Sequence, residues 1–386
     1  MSEKDPICED DAYAYGDAGA MLGRAHEWSY RNLVPLNASI ELTLRCNIRC
    51  LHCYNFDRDE PRAACDKPEL STPEILRVMG ELRAAGCLFV ALTGGEALSH
   101  PDLFVFIDQA RKLNMSVQLL TNGTMLKPGV AARLKTFENL LGVSVSLYGA
   151  TAEVHDAVTQ MPGSFRRTWD GIRSLRHVGV SVRLKFILMR QNAHEAAAMR
   201  AAAEGLGAPY LMDLTVTSRH DGSNGSLETR VDRRQLEELY RGPLHDLALR
   251  APHACTEENF PCNCARGNVG ITATGDVIPC VSVPWPAGNV RERPFAEIWR
   301  SSPVFEKIRG FKIADYAHCA PCDHKSFCKR NRGAALTASG SYTGVDPFVC
   351  AQAELAHRLA DEREAAARAG APVASAAVSR RLAVVR

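Results

Sequence analysis

No apolar run in this sequence is long enough to cross a bilayer, so a helical membrane anchor is not expected. Charge of one sign is lacking too. The 46 Lys and Arg nearly balance the 44 Asp and Glu, a formal net charge of +2, which leaves no electrostatic case for nucleic acid or an anionic membrane. The first thirty residues are acidic and polar, with neither a basic n-region nor an apolar h-region, which excludes a secretory signal from the expectations. Cysteine, in contrast, is plentiful. Fourteen in a chain of 386 residues without an export signal point to reduced thiols serving metal centres and to a cytoplasmic address. With 46% hydrophobic and 23% charged residues, the chain reads as soluble and globular, with one large domain or two ordinary ones.

Three of the thiols stand in the run Cys46-Asn47-Ile48-Arg49-Cys50-Leu51-His52-Cys53, directly after the β-like stretch Ala38–Leu44. Spaced by three residues and then two, they can fold onto one metal centre. They offer three ligands, whereas a structural zinc site wants four. Thiolates are the usual ligands of iron–sulfur clusters, and a cluster iron without a protein ligand can take a substrate or cofactor.

From Ala38 to Tyr240 short apolar runs alternate with amphipathic stretches, the rhythm of βα units. Strands are expected at 39–44, 87–92, 116–120, 142–147, 180–188 and 210–215. Helices are expected at 71–85, 101–113, 127–135, 164–177, 193–204 and 232–247. Six such repeats are too few for an eight-fold barrel. The expected fold class is therefore α/β: a partial, TIM-like (β/α)6 barrel followed by a small Cys-rich α+β domain. The expected division is a leader segment at 1–37, the barrel at 38–248, the Cys-rich domain at 249–350, and a C-terminal helix with a mobile tail at 351–386. Chemistry in such barrels sits on the loops after the strands. The cysteine run follows the first strand, and Thr93-Gly94-Gly95-Glu96 follows the second. Read alone, Gly-Gly-Glu marks a turn; its glycines would also let a ligand approach the backbone closely. Ser144 and Ser146 alternate onto one face of the fourth strand, as Arg183 and Lys185 do on the fifth.

The C-x3-C-x2-C run followed, one βα unit later, by Gly94-Gly95-Glu96 resembles the joint pattern of radical S-adenosylmethionine enzymes. The resemblance implies a 4Fe–4S cluster on Cys46, Cys50 and Cys53 whose open iron holds S-adenosylmethionine and cleaves it reductively to a 5′-deoxyadenosyl radical. It also implies that Gly94, Gly95 and Glu96 bind the cofactor's amino group. Asn122, on the polar loop Thr121–Thr124, would lie near the cofactor. Ser146 would bond the ribose, and Arg183 would pair with the carboxylate. His52 would pack over the cluster.

After about Ala251 the periodicity weakens. Cys255, Cys262 and Cys264 lead into a hairpin pattern around Thr274-Gly275-Asp276 that ends at Cys280, and then come Cys319-Ala320-Pro321-Cys322, Cys328 and Cys350. This layout resembles the SPASM extension, which holds one or two auxiliary 4Fe–4S clusters. Cys319, Cys322, Cys328 and Cys350 would ligate the second. A thiol that relatives carry just after Cys328 is missing, so the first must draw on Cys255, Cys262, Cys264 and Cys280. All four could bind; or three could bind and leave an open iron; or Asn331 could contribute. A zinc ribbon is the alternative for the C-terminal set. Cys8, Cys65 and Cys87 remain over, and Cys87 opens an apolar strand as a small hydrophobe. Val281 stands where sulfatase-maturing relatives carry an acid, which argues against that activity. His155-Asp156 and His220-Asp221 either face substrate or are solvated loop residues.

The resemblance implies hydrogen abstraction from an unactivated C–H bond, in the first place to modify or crosslink a ribosomally made peptide. Oxidation or decarboxylation of a small molecule or tetrapyrrole is the rival, and a non-enzymatic iron–sulfur electron carrier the third reading. A flavodoxin- or ferredoxin-type reductant is implied as a partner. The thirty-seven residues before Ala38 are too few for a leader-binding winged helix with its own core, which leaves a separate peptide-recognition protein, or a substrate that needs none, as the expectation.

Overall fold

The computed structural model describes residues 19–55, 67–245 and 262–369; Cys8, Cys65 and Cys255 lie outside them. Residues that composition assigns to a leader form the first helix, α1 (Gly19–Asn32). The barrel elements follow as β1 (Asn37–Glu41), α2 (Thr72–Ala84), β2 (Phe89–Thr93), α3 (Leu103–Lys112), β3 (Ser116–Thr121), α4 (Pro128–Lys135), β4 (Leu140–Ser146), α5 (Ala152–Thr159), α6 (Ser164–His177), β5 (Val182–Ile187), α7 (Ala196–Gly205), β6 (Tyr210–Asp213) and α8 (Arg233–Arg241). The C-terminal part adds β7 (Asn268–Ile271), β8 (Asp276–Ile278), β9 (Gly288–Asn289), α9 (Phe295–Ser301), α10 (Pro303–Gly310), α11 (Arg332–Ser339) and α12 (Pro347–Arg368).

Local chemistry explains the helix starts. Ser71 and Glu74 form a capping box at α2, with Pro73 in its first turn. That helix buries Ile75, Val78, Met79 and Leu82 in one core with Ile40, Leu42, Val90 and Leu92 of the strands beneath it. Further along, Pro294 caps α9 and Pro303 opens α10.

Strands β1 to β6 pair in sequence order, all parallel. Alternate residues take opposite faces. Ile40, Leu92, Leu119, Val145 and Leu184 pack under the helices and are fully buried. The other face carries Ser39, Glu41, Gln118, Ser144, Ser146, Arg183 and Lys185, with Ser144 beside Arg183 and Ser146 beside Lys185 in register. A parallel sheet covered by apolar layers on both faces reads as continuous hydrophobic runs. Here the alternation marks an inner face turned to a polar lumen.

An open barrel leaves a free edge at β1. That edge is filled by β7, which pairs parallel with β1 from Asn37↔Asn268 to Ile40↔Ile271; β8 and β9 continue antiparallel. The auxiliary hairpin is thus part of one nine-stranded sheet, ordered β6-β5-β4-β3-β2-β1-β7-β8-β9. Val269 and Ile271 of the hairpin and Phe295 and Trp299 of α9 join the barrel core. The first helix seals this seam. Tyr30 is buried beneath the Arg266 guanidinium, 5.0 Å from its ring centroid, and Trp299 Nε1 donates to the Leu33 carbonyl at 2.7 Å.

Candidate active site

The cysteine loop lies at the C-terminal end of β1, across the mouth of the lumen. Its backbone rests on α5, with Arg49 N donating to Thr159 O and Leu51 N to Val158 O. Cys53 N donates to Cys50 O at 3.1 Å, which closes a tight turn between the last two cysteines. Of the three, Cys50 packs against the cluster that holds Tyr148. Tyr148, just past β4, has its hydroxyl pushed well above the ordinary range, first by burial, then by Cys50, with Cys53 and Cys46 adding to it. A hydrogen bond from Ser146 to that hydroxyl acts the other way. His52 meets the Tyr148 ring edge-on at 4.7 Å. Its pKa is lowered to about 3 by burial and by the Lys185 ammonium, so the imidazole is neutral.

The loop after β2 is pressed against this one. Gly95 N donates to Thr43 O at 2.7 Å and Glu96 N to Arg45 O at 2.8 Å. A Cβ on Gly94 would stand 2.4 Å from Thr43 O, one on Gly95 2.4 Å from Arg45 O, and Gly94 has φ +142°. These glycines therefore serve first the approach of two loops, where a close approach to a ligand was expected. Glu96 is buried, and burial raises its pKa against three donors. Its Oε1 accepts from Leu98 N at 2.9 Å and Thr121 Oγ1 at 2.7 Å, and its Oε2 from Asn122 N at 2.8 Å. A carboxylate offers about four acceptor directions, so one on Oε2 is left for a ligand. Asn122 extends the chain of contacts. Its amide donates to Asn47 Oδ1 at 3.0 Å and lies 3.8 Å from Cys46 Sγ.

The C-terminal thiols form two sets. Cys264 Sγ and Cys280 Sγ are 3.1 Å apart across the hairpin, and Cys264 N donates to Cys262 Sγ at 3.4 Å. The buried Tyr342 hydroxyl lies 3.3 Å from Cys262 Sγ. In the second set, Cys350 has its pKa raised to about 11 by partial burial and by the charges of Cys328, Cys319 and Cys322. Asn331 is engaged elsewhere, its Oδ1 accepting from Ala334 N at 2.9 Å as the N-cap of α11.

The Radical SAM superfamily model matches residues 40–201. An AdoMet-dependent heme synthase of Methanosarcina barkeri is 30% identical over 334 residues, 80% of this chain and 94% of that protein. The chain belongs to the radical SAM superfamily. It is an S-adenosylmethionine-dependent iron–sulfur enzyme, and residues 262–323 match the SPASM iron–sulfur cluster-binding domain. Mycofactocin maturase MftC of Mycobacterium ulcerans is 28% identical over 359 residues, 86% of this chain and 92% of the maturase. The structure of Streptococcus suis SuiB bound to precursor peptide SuiA superposes with a TM-score of 0.63 at 17% identity, covering 86% of this chain and 80% of that one, a likeness of fold.

This radical SAM fold brings Cys46, Cys50, Cys53, Glu96, Asn122 and Ser146 to one end of the barrel, with Arg183 and Lys185 half-buried on the lumen wall below. The donor set suits the cofactors of the family. Thiols are cluster ligands, and a carboxylate, amides, hydroxyls and cations match the ammonium, ribose and carboxylate of S-adenosylmethionine. His155-Asp156 is structural. His155 Nδ1 accepts from Tyr148 N at 3.1 Å, and Asp156 takes Phe165 N and Ser164 Oγ at the start of α6. Cys87 is a buried core residue whose pKa burial pushes up to about 12. Among the described residues no helix is long and apolar enough to cross a membrane.

Sequence reasoning overlooked the aromatic residues around the thiols. Tyr148 follows β4 outside any motif. Tyr54, next to Cys53, donates from its hydroxyl to Glu41 Oε1 at 3.1 Å and lies 5.0 Å from the His220 ring. His220 opens onto a cavity of about 680 Å³ between the loop after β6, the segment after Cys280, and α10 and α11.

Proposed function

We propose that this enzyme takes a hydrogen atom from a ribosomally made peptide held between the barrel mouth and the auxiliary thiols, and so modifies or crosslinks it. The observation that carries this reading is the cysteine loop at the mouth of a polar lumen, zipped to the Gly94–Glu96 loop, with the Asn122 amide 3.8 Å from Cys46 Sγ. When bound, the cluster on these thiols supplies the electron that cleaves S-adenosylmethionine to a 5′-deoxyadenosyl radical. The chain's own residues orient and protect. Glu96 would accept the cofactor's ammonium on its remaining lone pair, with Gly94 and Gly95 setting the carboxylate at that depth. Arg183, with Lys185 beside it, would attract the carboxylate; Ser146 would bond the ribose; Asn122 would fix Cys46. His52 and Tyr148 pack edge to face beside the thiols. Cys262, Cys264 and Cys280, with Cys255 or Tyr342 in the fourth position, would hold one auxiliary cluster, and Cys319, Cys322, Cys328 and Cys350 the other.

Peptide maturation is supported by the likeness to a maturase over most of both chains. A second reading, oxidation or decarboxylation of a tetrapyrrole or another small molecule, is supported by the likeness to heme synthases. The further partners are a flavodoxin- or ferredoxin-type reductant and a separate peptide-recognition protein, in the cytoplasm, where the many thiols stay reduced. The test is anaerobic. Reduced, iron-loaded enzyme is given S-adenosylmethionine and the short peptides encoded beside its gene. A product lighter by two hydrogens supports peptide maturation. Turnover of a tetrapyrrole with none of any peptide replaces it with the second reading.

A further inference from the structure

In a chain whose formal net charge is only +2, one outer face of the barrel is strongly basic. Helix α6 carries Arg166, Arg167, Arg173 and Arg176, all exposed, against the single acid Asp170. Arg166 and Arg173 stand two turns apart and share one stripe of the helix. Asp170 pairs with Arg173 at 2.6 Å, which leaves the charges of Arg166, Arg167 and Arg176 in excess. Helix α4 packs against α6 and adds Lys127 at its N-cap, Arg133 and Lys135, with no acid of its own. Lys135 donates to Gly179 O at 3.0 Å, and the Arg133 guanidinium lies 4.0 Å over the Phe104 ring; neither contact neutralises the charge. Such a concentration of one sign repels itself in the free protein and steers a partner of the opposite sign.

The position of this face gives the partner its character. On the inner side of α6 the buried Thr168 hydroxyl donates to Asn122 O at 2.9 Å. The Asn122 amide in turn lies 3.8 Å from Cys46 Sγ and donates to Asn47 Oδ1 at 3.0 Å. Helix and loop touch closely, for a Cβ on Gly171 would stand 2.6 Å from Gly123 O. One helix and one loop residue therefore separate the basic surface from Cys46. Electron transfer weakens steeply with distance, so a reductant must dock where a centre comes near the surface. An acidic peptide would suit the charge equally, but it has no need of the link to Cys46.

We propose that the face of α4 and α6 docks an acidic one-electron carrier of the flavodoxin class, whose electron reaches the centre on Cys46, Cys50 and Cys53 by way of Thr168 and Asn122. The proposal rests on the radical reading above for the cluster and adds the place where its electron enters. Each encounter moves one electron. The reduced flavin of the partner loses it and the oxidised cluster gains it, with no bond made or broken. Charge steers the encounter, while the contact between Thr168 and Asn122 sets the distance.

Anaerobic, cluster-loaded enzyme is mixed with flavodoxin hydroquinone, affinity is measured by calorimetry, and cluster reduction is followed by EPR after rapid freezing. Photoreduced 5-deazariboflavin, small and uncharged, is the control reductant. Arg166→Glu and Arg167→Glu lie at exposed positions in the first turn of α6, where a carboxylate suits the helix dipole. Each should weaken flavodoxin binding about tenfold, and the double variant more. Reduction by flavodoxin should slow in step and lose its dependence on salt, whereas reduction by deazaflavin stays unchanged. Arg24→Glu, the same reversal at an exposed position of α1, should leave both intact. Equal binding and reduction of parent and double variant, or an equal loss in Arg24→Glu, overturns the proposal while deazaflavin-driven radical formation stands. A glutamate-rich peptide that loses affinity for the double variant, while flavodoxin reduces parent and variant alike, overturns it too and assigns the face to peptide recognition. Failure of deazaflavin to reduce the parent enzyme strikes the functional reading itself, and the proposal with it.

Discussion

Cys46, Cys50 and Cys53 lie on one loop that is fixed from several directions, whereas Cys319, Cys322, Cys328 and Cys350 arrive from separate turns and a helix. The first loop is zipped to the Gly94–Glu96 loop, rests on α5, and starts at Thr43 and Leu44, which both donate to the Glu69 carboxylate at 2.8 Å. The second set depends on the placement of α12, which carries Cys350 and docks on α8 through Tyr240–Gln352 and Arg358–Glu237. Rigid elements position reactive groups more precisely than loops do. A centre that must present an open coordination position to a cofactor needs such rigidity; one that relays electrons needs only proximity.

The largest effect that would sharpen this contrast concerns α12. Asp346 caps that helix through Phe348 N and receives both ends of the Arg230 guanidinium, at 3.0 and 2.6 Å, with no exposed carboxylate surface. Arg230→Ala leaves a buried carboxylate unpaired. It should cost about 3–5 kcal/mol in urea unfolding and lower the iron content of the second set first. A loss of iron from the first loop instead would break the comparison.

Acid should act next, and on the barrel side. His155 must be neutral to accept from Tyr148 N, and burial lowers its pKa to about 4 from an ordinary 6.5. The unfolded chain binds the extra proton between those values. The stabilisation is therefore complete above pH 6.5 and is lost as pH falls to 4, amounting to ~3 kcal/mol from this group. Stability measured across that range should show the slope. His155→Gln, whose amide oxygen can take the same N–H, should flatten it.

A subtler difference is electronic. An N–H aimed at a cluster thiolate favours the reduced state. Asn122→Ala removes the amide 3.8 Å from Cys46 and should lower the reduction potential of the first cluster alone, read by EPR-monitored titration. Asn331→Ala, which loses only a helix cap, should leave all potentials in place. The smallest effect is expected at the seam between the two regions. Arg291 pairs with Glu74 at 2.6 Å, a contact that together with Ser71 draws the Glu74 pKa down to about 2. Both side chains are partly solvated, so Arg291→Ala should cost no more than about 1 kcal/mol in thermal unfolding.

The barrel was legible because its information is local. The periodicity over Ser164–His177 matches α6, and the cysteine spacing needs only one loop to work. The pairing of β7 with β1 was not legible, because two short apolar runs over two hundred residues apart carry no sign of their register. Helix α1 escaped for another reason: Met21 and Trp28 are exposed, and only its last turn, through Ser29 and Tyr30, is deeply buried. Glycines 94 and 95 stand on the loop after β2, but their tight contact is with backbone, which no motif reveals. Tyr148 and Tyr342 reach the thiols only through tertiary contacts, whereas Tyr54 adjoins Cys53 in the sequence but finds Glu41 and His220 through the fold.

The central claim is that the loop of Cys46, Cys50 and Cys53 generates the radical while the C-terminal thiols serve a later step. Formation of 5′-deoxyadenosine by reduced, iron-loaded enzyme without substrate tests it directly, with Cys50→Ala compared with Cys264→Ala. The account predicts that Cys50→Ala forms none and that Cys264→Ala still cleaves S-adenosylmethionine. Cleavage that survives Cys50→Ala and is abolished by Cys264→Ala would contradict it.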